Sequence, residues 1–232
     1  MAHVLERLPA GLVWQGSQLA PPPSTTLATG FATLDRALPG GGWPAGALIE
    51  LLTERPGIGE LALLLPLMQQ MAAERWIAWI APPLLPYAPA LVSAGLPLQR
   101  LLLVQPASVA ETLWAIRQAT ASGSCALVLA WPARLDTAAL RRLQLAAEES
   151  ATPLFLFRTF STARQASPAP LRLGLSPTAQ GLQIDILKRR GPPAAHPIHL
   201  VWQGDTLAEV AESPPRPQQD PHDNTPRLAR AG

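Results

Sequence analysis

Glu50-Leu-Leu-Thr-Glu-Arg-Pro-Gly-Ile-Gly-Glu-Leu-Ala-Leu63 is the stretch that decides the fold, because it joins a buried strand to a helix through a glycine turn. The strand begins at Leu48, and the helix that follows the turn is apolar on nearly every side. A phosphate-binding loop has this arrangement and reads G-x-x-x-x-G-K-[ST]. Its main-chain N–H groups bind phosphate oxygens, its lysine reaches the outer phosphates and its hydroxyl holds Mg²⁺. The stretch therefore predicts the scaffold of such a loop.

The residues that bind phosphate are replaced in this loop. Gly57 and Gly59 are kept, but Glu60 stands at the lysine position and Leu61 at the Ser/Thr position. A carboxylate about 4 Å from a phosphate charge costs about 1 kcal/mol in water and about 4 kcal/mol at an effective dielectric constant of about 20. We therefore expect no nucleotide cofactor. The two glycines are interpreted as residues of a tight turn, which needs them with or without a ligand.

Composition limits the class of protein. The chain has 232 residues, of which 48% are hydrophobic, enough for one domain with a substantial core. Its net charge is only +2, and its single cysteine, Cys125, excludes an internal disulfide or a cysteine-based zinc site. The 4 histidines show no metal-ligand spacing with carboxylates, so no metal is expected. The first residues lack the pattern of a signal peptide, and we expect a cytoplasmic protein.

Residues 76–99 carry no charge and are long enough to span a bilayer. The same segment contains prolines at positions 82, 83, 86, 89 and 97, which would interrupt a spanning helix. We therefore predict a buried strand, a proline-rich turn and a short helix there, and no membrane partner.

The sequence predicts three parts: an N-terminal arm over residues 1–29, a core domain over 30–203 and a disordered tail over 204–232. The arm contains an extended proline run at 21–23, and the tail has few apolar residues. Continuous apolar runs predict parallel strands at 47–52, 76–81, 101–104, 125–131 and 153–157. Shorter connections after residue 160 predict antiparallel strands at one sheet edge, at 171–175, 182–188 and 198–202.

The sequence contains N-capping residues at the predicted starts of helices between the parallel strands. Ser108 and Glu111 form a capping box, and Asp136 is an N-cap residue for the next helix. Strands that alternate with helices in this way predict an α/β fold with a parallel sheet.

Several motifs around the loop resemble the entry to a RecA-type recombinase core. They are Thr29-Gly-Phe-Ala-Thr-Leu-Asp35, then Leu38-Pro-Gly-Gly-Gly-Trp-Pro-Ala-Gly46, then the Leu48 strand with its glycine turn. The resemblance covers roughly residues 25–202. It implies a RecA-like core, with a mostly parallel sheet flanked by helices and antiparallel strands added at the C-terminal edge.

The departures from the recombinase pattern are informative too. The strand that should lead to a catalytic carboxylate runs into Pro83, and the strand that should end in a metal-organising Asp ends in Ala130. With the lysine and the hydroxyl, four groups needed for phosphoryl transfer are absent, so we expect no enzyme. An unusual ATPase would need another cation near Gly59, for which Arg55 is the candidate.

A closer resemblance is to the ImuA family, whose members also resemble SulA-type cell-division inhibitors. It is carried by the arm at 12–16, the Leu38 motif, the degenerate loop and Leu182-Gln-Ile-Asp-Ile-Leu-Lys-Arg-Arg-Gly-Pro-Pro193. The resemblance implies an accessory protein of SOS-induced mutagenic translesion DNA synthesis. Its implied partners are an ImuB-type polymerase relative and an error-prone C-family polymerase. The alternative is an inhibitor of cell division that binds a tubulin-like GTPase.

Candidate contact residues lie outside the loop. Lys188, Arg189 and Arg190 form the densest basic cluster, which favours contact with single-stranded DNA or an edge that discourages strand pairing. Trp14 on the arm and Trp202 near the end of the core are candidate partner-docking residues, and the arm is a candidate for self-association.

The remaining tryptophans lie within predicted strands and helices. We predict that Trp76, Trp79, Trp114 and Trp131 are core residues.

Overall fold

A computed structural model describes residues 25–73, 75–194 and 196–209. These residues form a nine-stranded sheet with helices on both faces, and a small two-stranded sheet beside it. The helices are α1 (Ala32–Ala37), α2 (Glu60–Met71), α3 (Ala88–Ser93), α4 (Val109–Ala121) and α5 (Thr137–Ser150), with 3-10 helices at Leu98–Arg100 and Phe160–Arg164. The strands are β1 (Thr26–Leu27), β2 (Trp43–Pro44), β3 (Leu48–Thr53), β4 (Trp76–Ile80), β5 (Leu101–Val104), β6 (Cys125–Ala130), β7 (Leu154–Thr159), β8 (Leu171–Pro177), β9 (Gly181–Lys188), β10 (Ile198–Gln203) and β11 (Thr206–Glu209).

The large sheet has the strand order β11-β10-β9-β8-β3-β7-β6-β4-β5. The pairings from β8 to β5 are parallel, and those that join β8, β9, β10 and β11 are antiparallel. The strand β3 therefore lies inside the sheet, between β7 and β8, and is buried along its whole length. The predicted α/β class with a mostly parallel sheet is confirmed.

Two apolar cores lie on opposite faces of this sheet. Side chains of β3 alternate between them, because Ile49 and Leu51 face α1 and α2 whereas Leu48 faces α4 and α5. This double coverage is the physical reason why the central strands are continuous apolar runs.

The C-terminal strands depart from the prediction in one respect. We predicted that all three would be antiparallel, but β8 pairs in parallel with β3, with Ile49 opposite Leu171. The segment of residues 160–170 carries the chain back across the sheet and makes this parallel return sterically possible. Only from β9 onward does the sheet become antiparallel.

The ordered core extends beyond both predicted boundaries. The strand β1 lies within the predicted arm and pairs with β2. The strand β11 lies within the predicted tail, where Leu207 is buried and the Glu209 carboxylate accepts a hydrogen bond from the N–H of Thr33 in α1. The tail prediction is therefore wrong for 206–209. The predictions for residues 1–24 and 210–232 lie outside the described residues.

Helix starts follow the predicted signals. The Ser108 hydroxyl accepts a hydrogen bond from Glu111 N–H at 3.2 Å, and an Asp136 carboxylate oxygen accepts one from Ala139 N–H at 2.6 Å. Residues 76–99 form the predicted strand, turn and short helix. Within the described ranges, no helix is both long and apolar enough to cross a membrane.

The tryptophan prediction is half wrong. Trp79 is buried and Trp131 partly buried, but Trp76 is 41% exposed and Trp114 is 66% exposed. Trp114 lies on the outer side of α4, so an apolar side chain on a helix was not sufficient to indicate burial.

Candidate functional site

The loop between β3 and α2 lies at the carboxyl end of the central strand, which is where parallel sheets bind ligands. Gly57 and Gly59 have positive φ angles of 82° and 110°, a conformation that favours glycine. Gly59 directly precedes α2 and forms its N-terminal boundary. The two glycines therefore form the tight turn that the sequence predicted.

The Glu60 side chain folds back into this loop and fills it. Its Oε1 accepts a hydrogen bond from Gly57 N–H at 2.7 Å, and its Oε2 accepts bonds from Ile58 N–H at 2.8 Å and Gly59 N–H at 3.1 Å. The residue is only 5% exposed. Consecutive N–H groups at a helix N-terminus are a general anion-binding arrangement, and here the anion is part of the chain.

This geometry goes beyond the prediction from the sequence. We predicted that Glu60 would repel a phosphate by its charge, but the carboxylate also uses the donors that a phosphate would need. Hydrogen bonds to a charged group contribute about 1.5–3 kcal/mol each, so displacing the carboxylate is costly. The available signal was an acid in the first turn of a helix after a glycine loop, where the helix dipole stabilises negative charge.

The other replaced positions are also occupied by apolar groups. Leu61, in the first turn of α2, packs against the core, and Ala130 is fully buried at the end of β6. Pro83 is exposed and lines a cavity of about 180 Å³ beside the loop, together with Glu60 and Arg55. Arg55 is therefore at the cavity, as its candidacy required, but the loop N–H groups it would assist are already bound to Glu60.

Stacked aromatic rings form another wall of this cavity. Trp131 and Phe157 lie face to face, with ring centroids 4.4 Å apart and an interplanar angle of 6°. Ligand pockets in proteins usually enclose about 300–1,000 Å³, so a cavity of about 180 Å³ is small for a nucleotide.

A buried ion triad lies on β3, the strand that leads into the loop, and the two strands beside it, and the sequence did not predict it. Glu50 on β3 is fully buried, with Arg158 Nη1 2.5 Å from its Oε1 and Arg172 Nε 2.5 Å from its Oε2. The second contact is an ion pair without hydrogen-bond alignment. Because Glu50 and its partners lie on β3, β7 and β8, the triad links three adjacent strands. An acid within an apolar strand was the available signal.

The two arginines also hold the segment that crosses over the sheet. Arg158 Nη2 donates to Gln165 Oε1 at 2.7 Å, and Arg172 donates to the carbonyls of Thr162 and Ala163 at 3.0 and 2.9 Å. The two guanidinium groups carry one more charge than the Glu50 carboxylate neutralises, and these carbonyl and amide oxygens stabilise the remaining positive charge by hydrogen bonding. The triad therefore joins β7 and β8 to β3, which leads into the loop, and we call these three strands the platform.

Trp202 contacts the loop from β10. A Cβ atom placed on Gly59 would lie 2.9 Å from Cζ2 of the Trp202 ring, so the indole rests directly on this glycine. Trp202 is 40% exposed, so one part of it packs on its own chain and another part faces outward. Trp14, the other predicted docking residue, lies outside the described residues.

The three cations of the basic cluster have different surroundings in the structure. Lys188 Nζ donates to Ser167 O at 2.7 Å, and Arg189 donates to the carbonyls of Ala37 and Pro192. Burial, and next the Arg172 guanidinium, lower the pKa of Lys188. Arg190 is exposed and lines a separate cavity of about 490 Å³. Two of the three cations therefore have structural contacts within the chain.

The described part of the chain holds no cluster of three or more His, Cys, Asp or Glu residues suited to a metal ion. The arrangement at the loop is chemically that of an occupied anion site, closed by a residue of the same loop.

Comparison with known families gives matches of two kinds. Residues 47–153 match the family model described as cell division inhibitor SulA. The chain is 32% identical over 114 residues to the cell division inhibitor SulA of Photorhabdus laumondii, covering 49% of this chain and 64% of that protein. It is 31% identical over 133 residues to the protein ImuA of Caulobacter vibrioides, covering 55% of this chain and 54% of that protein.

A further relative is matched over more of its length. The cell division inhibitor SulA of Citrobacter koseri is 32% identical over 121 residues, which cover 50% of this chain and 71% of that protein. The crystal structure of SulA from Pseudomonas aeruginosa is 29% identical, with a TM-score of 0.41, covering 50% of this chain and 99% of that one. The chain spans less than two thirds of the length of the Photorhabdus and Caulobacter relatives.

Proposed function

This chain belongs to the SulA family, to which the ImuA proteins are related, and from that premise we propose that it is a non-catalytic RecA-like accessory protein of mutagenic translesion DNA synthesis. The observation that carries the non-catalytic part is the Glu60 carboxylate, which accepts hydrogen bonds from the N–H groups of residues 57, 58 and 59. A nucleotide phosphate would have to displace it. The protein then acts through binding rather than phosphoryl transfer.

The surroundings of the loop support the same proposal. Phosphoryl transfer depends on positioned charges, and the positions that would supply them hold Leu61, Pro83 and Ala130. The adjacent cavity is small and walled by stacked Trp131 and Phe157. A RecA-like scaffold that has lost these groups keeps its surfaces for partners.

The translesion role rests on the match to an ImuA protein. That match runs over 133 residues, whereas the matches to the SulA proteins of Photorhabdus and Citrobacter run over 114 and 121. In this proposal the protein acts in the cytoplasm as an adaptor for an ImuB-type polymerase relative and an error-prone C-family polymerase.

Direct contact with single-stranded DNA is part of the proposal, and Arg190 is its main candidate because Lys188 and Arg189 already donate to carbonyls of the chain. Charge supplies affinity for phosphates without sequence preference. Arg190→Ala should weaken oligo-dT binding and reduce its salt dependence by about one phosphate contact, whereas Arg141→Ala on the exposed face of α5 should not. Equal effects of the two substitutions would remove the cluster from the proposal.

The alternative function is inhibition of cell division by binding a tubulin-like GTPase. The match of residues 47–153 to the SulA family model favours it, as does the coverage of 71% of the Citrobacter protein. Both functions are compatible with a closed loop.

The deciding experiment compares two phenotypes in the source bacterium. Deletion of the gene should lower the frequency of damage-induced mutations, and the wild-type gene should restore it. Overexpression should leave cell length unchanged. Filamentation on overexpression with unchanged mutation frequency on deletion would instead support the division inhibitor.

Calorimetric titration of the purified chain with Mg-ATP should show no binding, and micromolar affinity would overturn the non-catalytic part for either role.

A further inference from the structure

An open apolar groove lies at the edge of the sheet far from the loop. It encloses about 330 Å³ between β4, β5 and α4, and is lined mainly by Trp76, Leu102, Val104, Trp114, Ala115 and Cys125. We call this feature the edge groove. Its two tryptophans and Leu102 are 41%, 66% and 42% exposed, although they are large apolar side chains. Contiguous exposed apolar surface of this kind marks interaction sites, and tryptophan is enriched among residues that dominate binding energy.

The strand that borders the edge groove is short, but it lacks the charges and prolines that commonly protect a sheet edge. Among the described residues, β5 pairs with β4 alone and stands last in the strand order. Its sequence is Leu101-Leu-Leu-Val104, with neither a charged residue nor a proline. Natural proteins normally protect such edges with charges, prolines or a cover, because unpaired main-chain groups bind further strands.

Among the described residues next to the edge groove, the charged side chains are mostly positive. Arg75 precedes Trp76 and is close enough to act electrostatically on the Cys125 thiol, whose pKa burial raises and Arg75 lowers. Arg100 stands directly before β5, and Arg117 lies one turn after Trp114 on α4. The acid described on these elements, Glu111, already accepts a hydrogen bond from Ala107 N–H at 2.9 Å. Acidic groups on a binding partner would be complementary to this surface.

We propose that the edge groove binds an extended segment of a partner protein, which adds to β5 as a further strand. Main-chain hydrogen bonds to β5 supply the pairing, and one or two large apolar side chains of the segment pack between Trp76 and Trp114. Acidic residues that flank those side chains face Arg75, Arg100 and Arg117. The inference concerns a site separate from the loop, and it holds under either proposed function.

The chemistry of the groove favours a peptide over a nucleic acid. Single-stranded nucleic acid sites combine aromatic platforms with a continuous basic track along the backbone. Here the floor is aliphatic, with Leu102 and Val104 on a strand whose outer edge has no partner among the described residues, and the arginines lie at the margins. An open strand edge has main-chain donors and acceptors that a peptide satisfies and a phosphate backbone does not.

The test is selection from a displayed library of random peptides of about 12 residues on the full chain. A parallel selection uses the Trp114→Glu variant as a counter-target. We expect enriched peptides to contain large apolar residues flanked by Asp or Glu. Synthetic versions should bind the wild-type chain in fluorescence anisotropy, with affinity at least about tenfold lower for Trp114→Glu. Each peptide is made in two versions, methylated on one or the other set of alternate nitrogens. One version should not bind, because it lacks the N–H groups that pair with β5, and the other should bind, because its methyl groups face away from β5.

Leu145→Glu is the matched control, because Leu145 is 55% exposed on α5 and does not line the groove. It should bind the peptides as the wild type does, and both variants should keep the wild-type urea midpoint. Four results would overturn the proposal: no enriched peptides, peptides with basic flanks, peptides that bind Trp114→Glu equally well, or binding by both methylated versions. A dimer that Trp114→Glu dissociates would assign the groove to a second copy instead, and oligo-dT binding lost in that variant would assign it to nucleic acid.

Discussion

The loop after β3 and the edge groove beside β5 differ in whether their binding surface is already occupied. The loop presents N–H groups suited to an anion, and Glu60 of the same loop occupies them. The edge groove presents the open edge of β5 and two exposed tryptophans, and no described residue covers them. The two lie four strand spacings apart, or roughly 19 Å across the sheet.

This difference shows where binding is available in the chain. The loop has the form of a phosphate-binding site, but the Glu60 carboxylate closes it through contacts with residues 57–59. These contacts are local, so they form together with the loop. The open surface lies elsewhere and is apolar. If the comparison is right, substitutions at the loop should change stability, and substitutions at the edge groove should change binding but not stability.

The largest effect is expected for the ion triad that joins the three strands of the platform. Glu50→Ala removes the carboxylate from Arg158 and Arg172 and leaves two buried guanidinium groups without their ion-pair partner. Breaking a buried ion pair in this way costs about 3–5 kcal/mol. Urea unfolding followed by circular dichroism measures the loss.

Glu54→Ala is the control for that substitution, since Glu54 is exposed one residue beyond β3. It should change the free energy of unfolding by less than about 0.5 kcal/mol. A similarly small value for Glu50→Ala would show that the triad does not fix the platform.

The second effect concerns closure of the loop. Glu60→Ala removes the acceptor of three main-chain hydrogen bonds and should lower the free energy of unfolding by about 2 kcal/mol. The loss is smaller than the sum of the three bonds, because water can bind N–H groups that are only partly buried. It should also create weak binding of inorganic phosphate, because the N–H groups become available to an outside anion. Calorimetry and phosphorus NMR report this binding.

Glu60→Gln separates charge from hydrogen bonding. Its amide oxygen still accepts from the loop, so the variant should remain closed to phosphate while losing part of the stability. Phosphate binding by the wild type, or its absence in Glu60→Ala, would contradict self-closure by the carboxylate.

The degree to which sequence predicts this molecule differs between the same two regions. The positions of the central strands along the chain and the helix caps followed from local patterns, because apolar runs and capping residues act over a few positions. The order of the strands within the sheet did not follow from the sequence. The loss of phosphate ligands at Glu60 and Leu61 was also local. The reach of the Glu60 side chain back to Gly57 depends on the φ angles of the turn, which the sequence does not specify.

Long-range contacts could not be predicted. The Glu50 triad joins residues about a hundred positions apart, and the placement of Trp202 on Gly59 depends on the register of β10. The exposure of Trp76 and Trp114 follows from β5 being a short strand at the end of the sheet. A pattern of apolar residues reports that a side chain can be buried, but not whether another element arrives to bury it.

The third effect isolates the contact of Trp202 with the loop. Gly59→Ala and Gly57→Ala both place a side chain at positive φ, which costs about 1–2 kcal/mol. The new Cβ at position 59 would lie 2.9 Å from the Trp202 ring. The new Cβ at position 57 would have no such neighbour within 4 Å. We expect Gly59→Ala to cost about 1 kcal/mol more in urea unfolding.

A double substitution tests the cause of that excess. In a Trp202→Ala background the two glycine substitutions should become equally costly, because the obstructing ring is gone. A persistent difference would mean that backbone strain alone distinguishes them, and that Trp202 does not cover the loop.

The smallest effect compares the two edges of the sheet. At the edge opposite β5, the Glu209 carboxylate on β11 accepts a hydrogen bond from the Thr33 N–H in the first turn of α1. This hydrogen bond is the main reason why the pKa of Glu209 lies below its usual value. A carboxyl group with a lowered pKa stabilises the fold above its usual pKa near 4.3, and the contribution is lost as pH falls through the folded-state value. Glu209→Gln should therefore lower the free energy of unfolding by about 1 kcal/mol at neutral pH.

The gap between wild type and Glu209→Gln should close below the usual glutamate range, because both side chains are then uncharged. Urea unfolding across pH values from neutral to acidic measures it. Trp114→Ala at the β5 edge should show no such gap at any pH, since Trp114 is 66% exposed and carries no charge. A pH-independent loss for Glu209→Gln would mean that the carboxylate charge does not anchor β11, and that the two sheet edges are less different than the contact with α1 indicates.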